Sequence, residues 1–175
     1  EMDIAGAKGI LFNVTGGTNN VNFTGIDIIR GGQGNDLFEI DATRTYDLYG
    51  GPGIDLFRFT NAGKLIGKID GEAGADTLDY HFDLTTYLDP RAFVLTGLGG
   101  SDGFNGTEAT ISAGFFNIDV INSGLGTDSL QGLNAAAEFD IHAASIDYVS
   151  GGHMLVMYGI ENLIGGDQSD VFVFD

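Results

Sequence analysis

Gly31-Gly32-Gln33-Gly34-Asn35-Asp36 and Gly50-Gly51-Pro52-Gly53-Ile54-Asp55 both carry glycine at places one, two and four and aspartate at place six. Gly71-Glu72-Ala73-Gly74-Ala75-Asp76 keeps the glycines at one and four and the closing aspartate. Ser123-Gly124-Leu125-Gly126-Thr127-Asp128 and Gly165-Gly166-Asp167-Gln168-Ser169-Asp170 each lose one glycine. Apolar residues follow the loops, as in Leu37-Phe38, Leu56-Phe57 and Val171-Phe172. A glycine-rich turn that closes on aspartate and runs straight into a strand suits a cation held between stacked turns.

Three of the loops share a lead-in. It reads Ile26-Asp27-Ile28-Ile29 before the first, Ile118-Asp119-Val120-Ile121 before the loop at 123, and Ile160-Glu161-Asn162-Leu163 before the last. The closing aspartates set the period. Asp36 to Asp55 is 19 residues, Asp55 to Asp76 is 21, and Asp128 to Asp170 is 42, or two turns of 21. The 52 residues from Asp76 to Asp128 have Asp102 at their midpoint, closing Gly97-Leu98-Gly99-Gly100-Ser101-Asp102 as a degenerate sixth loop. Self-similarity near 20 residues points to a solenoid.

Strand-forming runs fill the intervals: 10–14, 21–23, 55–60, 64–69, 116–121, 154–158 and 171–174. Helical periodicity is nearly absent, and Asn134 to Glu138 is the one expected helical turn. The expected fold is therefore all-β. It is a single parallel β-solenoid (β-roll or β-helix) over residues 1–175, with coils of roughly 20 residues and glycine-rich turns on one edge. Eight or so coils rising roughly 4.8 Å each make a rod about 40 Å long. The chain opens on Glu1 and ends at Asp175 just after a strand-like run, so we expect a piece of a longer protein.

Composition narrows the partners. The 25 acidic and 7 basic residues give a net charge of −18, which argues against nucleic acid and for a divalent cation. Cysteine is absent, so disulfides and thiolate metal sites are excluded. No run of about 18 apolar residues exists to span a membrane as a helix.

The loop residues fit calcium chemistry. Glycine lets the backbone take positive φ and approach its neighbour closely. Calcium takes 6–8 oxygens at about 2.3–2.6 Å and accepts backbone carbonyls, so each loop need supply only one carboxylate. Aspartates stacked about 5 Å apart repel by about 3 kcal/mol per pair at an effective dielectric near 20, and the loops hold no lysine or arginine. A divalent ion between each pair reverses that sign, so calcium-coupled folding is expected. An aspartate that simply caps its own turn is the plainer alternative.

Residues 31–39 and 50–58 resemble the RTX (haemolysin-type) calcium-binding repeat, Gly-Gly-x-Gly-x-Asp-x-apolar-x. The resemblance implies Asp36, Asp55 and Asp76 as side-chain ligands, with Asp102, Asp128 and Asp170 in the weaker loops. It implies the carbonyls of Gly31, Gln33, Gly51 and Gly53 as further ligands. Unlike the family, the nonapeptides here are not in strict tandem, so calcium is expected on one edge. Segments such as 71–80 and 159–175 are similar to repeats of large bacterial filamentous-haemagglutinin-like proteins. That likeness implies a secreted or cell-surface module with structural or adhesive work. Its expected partners are neighbouring repeats or copies of itself end to end, and a carbohydrate or protein receptor.

Two other readings stand beside this one. The chain could be a non-catalytic calcium-binding region of a secreted protease or lipase, or a carbohydrate-active β-helix. His81, His142 and His153 share no metal-ligand spacing, and no nucleophile elbow occurs. No catalytic residue is expected. Arg58, Lys64 and Lys68 are expected to offset neighbouring acids.

Overall fold

Leu37-Phe38-Glu39-Ile40 and Leu56-Phe57-Arg58-Phe59 bury every second side chain, the period of a strand with one face on a core. That alternation recurs through a computed structural model, which describes residues 2–4, 10–14, 17–21, 25–60, 62–81 and 89–175. The expected strand at 21–23 lies outside the described residues beyond Val21.

In chain order the strands are β1 (Met2–Ile4), β2 (Ile10–Val14), β3 (Gly17–Val21), β4 (Ile28–Arg30), β5 (Leu37–Ile40), β6 (Thr43–Arg44) and β7 (Asp47–Pro52). Next come β8 (Leu56–Phe59), β9 (Lys64–Leu65), β10 (Ile69–Ala73), β11 (Thr77–Asp79), β12 (Ala92–Leu98), β13 (Phe104–Glu108) and β14 (Ile111–Ile118). The last are β15 (Val120–Asn122), β16 (Asp128–Gln131), β17 (Ala137–Ile141), β18 (Ile146–Ser150), β19 (His153–Tyr158), β20 (Ile160–Ile164) and β21 (Asp170–Phe174). Among the described residues there is no helix, and Ala137 and Glu138, expected in a helical turn, open β17 instead.

The strands form two sheets. The first runs β21-β17-β18-β19-β15-β11-β8-β5-β1-β2-β3 and the second β20-β16-β12-β13-β14-β10-β7-β4. Both are parallel except within three antiparallel meanders, β1–β3, β12–β14 and β17–β19. Counted outward from β5 and from β4 along these orders, each path holds eight strands, so the molecule reads as eight layers with one strand from each path; β6 and β9 join the second sheet off this path, pairing with each other and β9 also with β14. The direct connections β4–β5, β7–β8, β10–β11, β14–β15, β16–β17 and β20–β21 each link strands of the same layer, and β13 touches β19 in the fifth.

The path through the layers differs from a steady climb. The chain rises from layer 3 (β11) to layer 6 (β12), descends through β13 to β14, and crosses to β15 in layer 4. It rises again to layer 7 (β16, β17), descends through β18 and β19, and ends in layer 8. The interval from Asp76 to Asp128 therefore holds an antiparallel meander, where the spacing predicts two regular turns.

The register stacks apolar side chains in columns. Phe38, Phe57, Leu78, Ile121 and Met157 align in the first sheet, and Ile29, Leu48, Ile69 and Phe115 in the second. All are buried, and full burial of each contributes about 1.5–3 kcal/mol. Phe38 and Phe57 stack with centroids 4.9 Å apart, as do Phe139 and Phe172 at 4.7 Å.

Candidate metal centre

Five of the glycine loops connect the two sheets, whereas 97–102, expected as a degenerate sixth loop, joins β12 to β13 within the second sheet. Loops 31–36, 50–55 and 71–76 cross from second sheet to first and stack through backbone bonds. Gly31 N donates to Tyr49 O (2.9 Å), Gly34 N to Pro52 O (2.8 Å) and Gly53 N to Ala73 O (2.9 Å). A Cβ on Gly51, Gly53 or Gly74 would collide with the carbonyl oxygen of Gly32, Gly34 or Gly53 in the layer before. Close stacking, as well as positive φ, thus requires glycine at Gly51, Gly53 and Gly74, whereas place two of the third loop holds Glu72 at a φ of 72°.

The closing aspartates form a ladder. Asp36 N donates to Asp55 Oδ1 (2.8 Å), Asp55 N to Asp76 Oδ1 (2.8 Å), and Asp76 N to Asp119 Oδ2 (3.1 Å). Each carboxylate therefore caps the loop of the preceding layer. Asp119, the fourth rung, is the acid of the second lead-in. Asp102 stands beside the ladder, its Oδ2 accepting from Gly74 N at 2.9 Å.

The second oxygens have a different fate. Asp55 Oδ2 and Asp76 Oδ2 are sealed from solvent and have no hydrogen-bond partner, and the same holds for Asp102 Oδ1. Each loop's first glycine explains the arrangement. A Cβ on Gly31 would strike Asp36 Oδ2 and Gly50 O, one on Gly50 would strike Asp55 Oδ2 and Gly71 O, and one on Gly71 would strike Asp76 Oδ2 and Asn117 O. A carboxylate oxygen and the next layer's carbonyl thus border one Cβ-free nook in each layer. Gly31 fits the expected ligand pattern only as the wall of that nook. Gln33 is exposed, Gly51 lies within β7, and the Gly53 carbonyl faces Gly74.

Electrostatics follow from the burial. Burial pushes the Asp76 carboxyl up to about 8, with the charges of Asp55, Asp119 and Asp102 adding and the bond from Asp55 N opposing. Burial likewise pushes Asp119 up to about 6 and raises Asp55.

A second, shorter ladder lies on the opposite edge, whereas the glycine-rich turns were expected on one edge alone. Loop 123–128 crosses from first sheet to second. Arg91 N donates to Asp128 Oδ1 (2.8 Å) and Asp128 N to Glu161 Oε2 (2.6 Å). Asp128 is fully buried, its Oδ2 has no partner, and burial raises its pKa. Glu161 is the acid of the third lead-in. Asp170 is back on the first edge, in loop 165–170, where Oδ2 accepts from Gly166 N of its own loop (2.9 Å) and Oδ1 is sealed without a partner. The structure thus joins Asp36, Asp55 and Asp76 in one column, with Asp102 at its side, and places Asp128 and Asp170 elsewhere.

The basic residues near the loops are engaged. Arg58 pairs with Asp79 (3.3 Å) and Lys68 with Asp70 (3.2 Å). Comparison with family models, with curated proteins and with solved structures finds no match to this chain.

Proposed function

We propose that this chain is a calcium-binding structural module: in outline a β-solenoid, with cations joining its layers along the acid ladder of the first edge. The observation that carries the reading is the set of sealed carboxylate oxygens without hydrogen-bond partners at Asp55, Asp76 and Asp102, along one edge. A buried carboxylate oxygen without a partner is costly, and like charges one layer apart add to that cost. The donor set is all oxygen, which suits a hard divalent ion.

In this reading Asp36, Asp55 and Asp76 supply the charged oxygens. The carbonyls of Gly50, Gly71 and Asn117 border the same nooks and complete the oxygen set. Calcium neutralises the column and ties each layer to the next. The Oδ1 bonds fix the carboxylates in place. One carboxylate per layer favours the weak affinity of extracellular modules, about 10⁻⁴–10⁻³ M. We place the module outside the cell, working as a spacer or adhesive segment that stacks on neighbouring repeats.

Calorimetric titration with calcium tests this on the intact chain and on Asp55→Asn and Asp76→Asn. Asparagine keeps the Oδ1 acceptor and so preserves the cap, while removing the charge. We expect calcium binding in the parent chain and a loss of at least about tenfold in affinity in each variant. Unchanged binding in both variants would leave the ladders as caps alone.

A further inference from the structure

We propose, resting on the calcium reading of the first edge, that Ser123 is the residue that closes the opposite edge to calcium: its hydroxyl fills the place that an ion takes in the glycine nooks.

Loops 31–36 and 123–128 share one backbone frame. Gly31 N donates to Tyr49 O (2.9 Å), and Ser123 N donates to Tyr158 O (3.1 Å). Arg30 pairs with Tyr49 and Asn122 with Tyr158, so Gly159 stands beside Ser123 as Gly50 stands beside Gly31. The closing aspartates correspond as well, since Asp36 N donates to the Asp55 carboxylate and Asp128 N to that of Glu161. The two frames differ at place one. Loops 31–36, 50–55 and 71–76 have glycine there, and 123–128 has serine.

In the glycine loops a Cβ at place one would meet both the closing aspartate's Oδ2 and the next layer's carbonyl oxygen. Ser123 carries a Cβ and a hydroxyl into that space and is only 1% exposed. Its Oγ donates to Gly159 O at 2.6 Å and lies 3.1 Å from Tyr158 O. A gap of 2.6 Å is that of a direct O–H···O hydrogen bond. The carbonyl that matches Gly50 O is therefore engaged by a hydroxyl. Gly159 closes the space from the other side, because a Cβ on it would meet Ser123 Oγ at 2.8 Å and Gly124 O at 2.9 Å. The hydroxyl also acts on the acid. Burial raises the Asp128 pKa, and the neighbouring Ser123 hydroxyl opposes that rise. Asp128 Oδ1 accepts from Arg91 N (2.8 Å). With that oxygen and the Gly159 carbonyl both engaged, the loop falls short of the 6–8 oxygens that calcium takes.

The test is a calorimetric calcium titration of the intact chain beside Ser123→Gly, Ser123→Ala, Asp128→Asn and Ser123→Gly combined with Asp128→Asn. Ser123→Gly opens the nook and should bind one more calcium per chain than the parent. Ser123→Ala keeps the Cβ in place and should add none. Asp128→Asn should leave the parent's stoichiometry and affinity unchanged. In the Ser123→Gly background it should weaken the added ion at least about tenfold, because it removes that site's charge. Far-UV circular dichroism in calcium checks each fold, and the Asp128→Asn arm reads the parent loop without depending on Ser123→Gly. A parent chain that binds no calcium would overturn the calcium reading and this proposal together. Calcium binding that Asp55→Asn weakens, with no added ion in folded Ser123→Gly, would overturn this proposal alone. A loss of about tenfold or more in the parent's calcium affinity on Asp128→Asn would do the same, since the native loop would then hold an ion.

Discussion

At the residue scale, two glycines of the loops separate conformational strain from packing. Gly32 and Gly74 both take positive φ, +113° and +137°. Gly32 has open space where a Cβ would stand, whereas at Gly74 that Cβ would meet the Gly53 carbonyl. Gly32→Ala should therefore cost about 1–2 kcal/mol from strain alone. Gly74→Ala should cost clearly more, about 3 kcal/mol or above, because the stacked backbone must also part. Denaturant midpoints in calcium measure both, and equal costs would mean that the loops are not closely stacked. The acids make a second residue-scale prediction, for metal-free protein. Asp76 and Asp119 have folded pKa values of about 8 and about 6, above their ordinary 3.8. The folded state thus binds protons that the unfolded chain releases, and stability falls as pH rises from about 4 through about 8. The slope is about 1.4 kcal/mol per pH unit for each group inside its own window. Acidification from pH 8 toward 5 should restore β structure to the metal-free chain, followed by circular dichroism. A steady loss of structure over that range would contradict the buried ladder.

At the element scale, the β12–β14 meander is tied down by buried polar groups. Arg91, just before β12, pairs with Glu108 of β13 at 2.9 Å, and both are almost fully buried. Tyr80 donates to Glu108 at 3.0 Å, and the Arg91 guanidinium lies 3.9 Å from the centre of the Tyr80 ring. Glu108→Ala removes a buried carboxylate that Arg91, Tyr80 and Thr110 share, so it should cost about 3–5 kcal/mol. Glu108→Gln keeps an acceptor and should cost less. A loss below about 1 kcal/mol for Glu108→Ala would show that the meander is held by its ladder bonds alone. Element by element, the sequence was most legible where layers follow one another directly. Spacings of 19 and 21 residues placed Asp36, Asp55 and Asp76 in one column, because each intervening stretch makes one simple circuit. The 42 residues from Asp128 to Asp170 equal two such periods, yet the two aspartates lie on opposite edges, because a three-stranded meander consumes the same length as two turns. Asp119 and Glu161 were visible as the acids of the lead-in motif. Their place as rungs was not, since it depends on which strand the meander returns beside.

At the scale of the whole molecule, the threading decides how the layers come apart. A chain that climbs one layer per turn is held by nearest-neighbour contacts, and its stability is close to a sum of layer terms. Layers 1 to 3 fit that description, with β4, β5, β7, β8, β10 and β11 in sequence order. Layers 4 to 8 do not. β14 and β15 of layer 4 lie under β13 and β19, which come from meanders that start in layers 6 and 7. Layer 7 is built before β18 and β19 fill the space beneath it. None of these strands can leave without unpairing strands far away in the chain. We therefore expect native-state hydrogen exchange in calcium to show two behaviours. Amides of β12 to β20 should open with one shared free energy, as a single cooperative unit. Amides of β4 to β8 should open at lower and graded free energies, and should lose protection first when calcium is chelated, because their layers depend on the Asp36–Asp55–Asp76 column. Graded opening across β12 to β20 would mean that the crossing connections do not couple the upper layers, and equal protection in both regions under chelation would mean that the ladder is not what holds the lower ones.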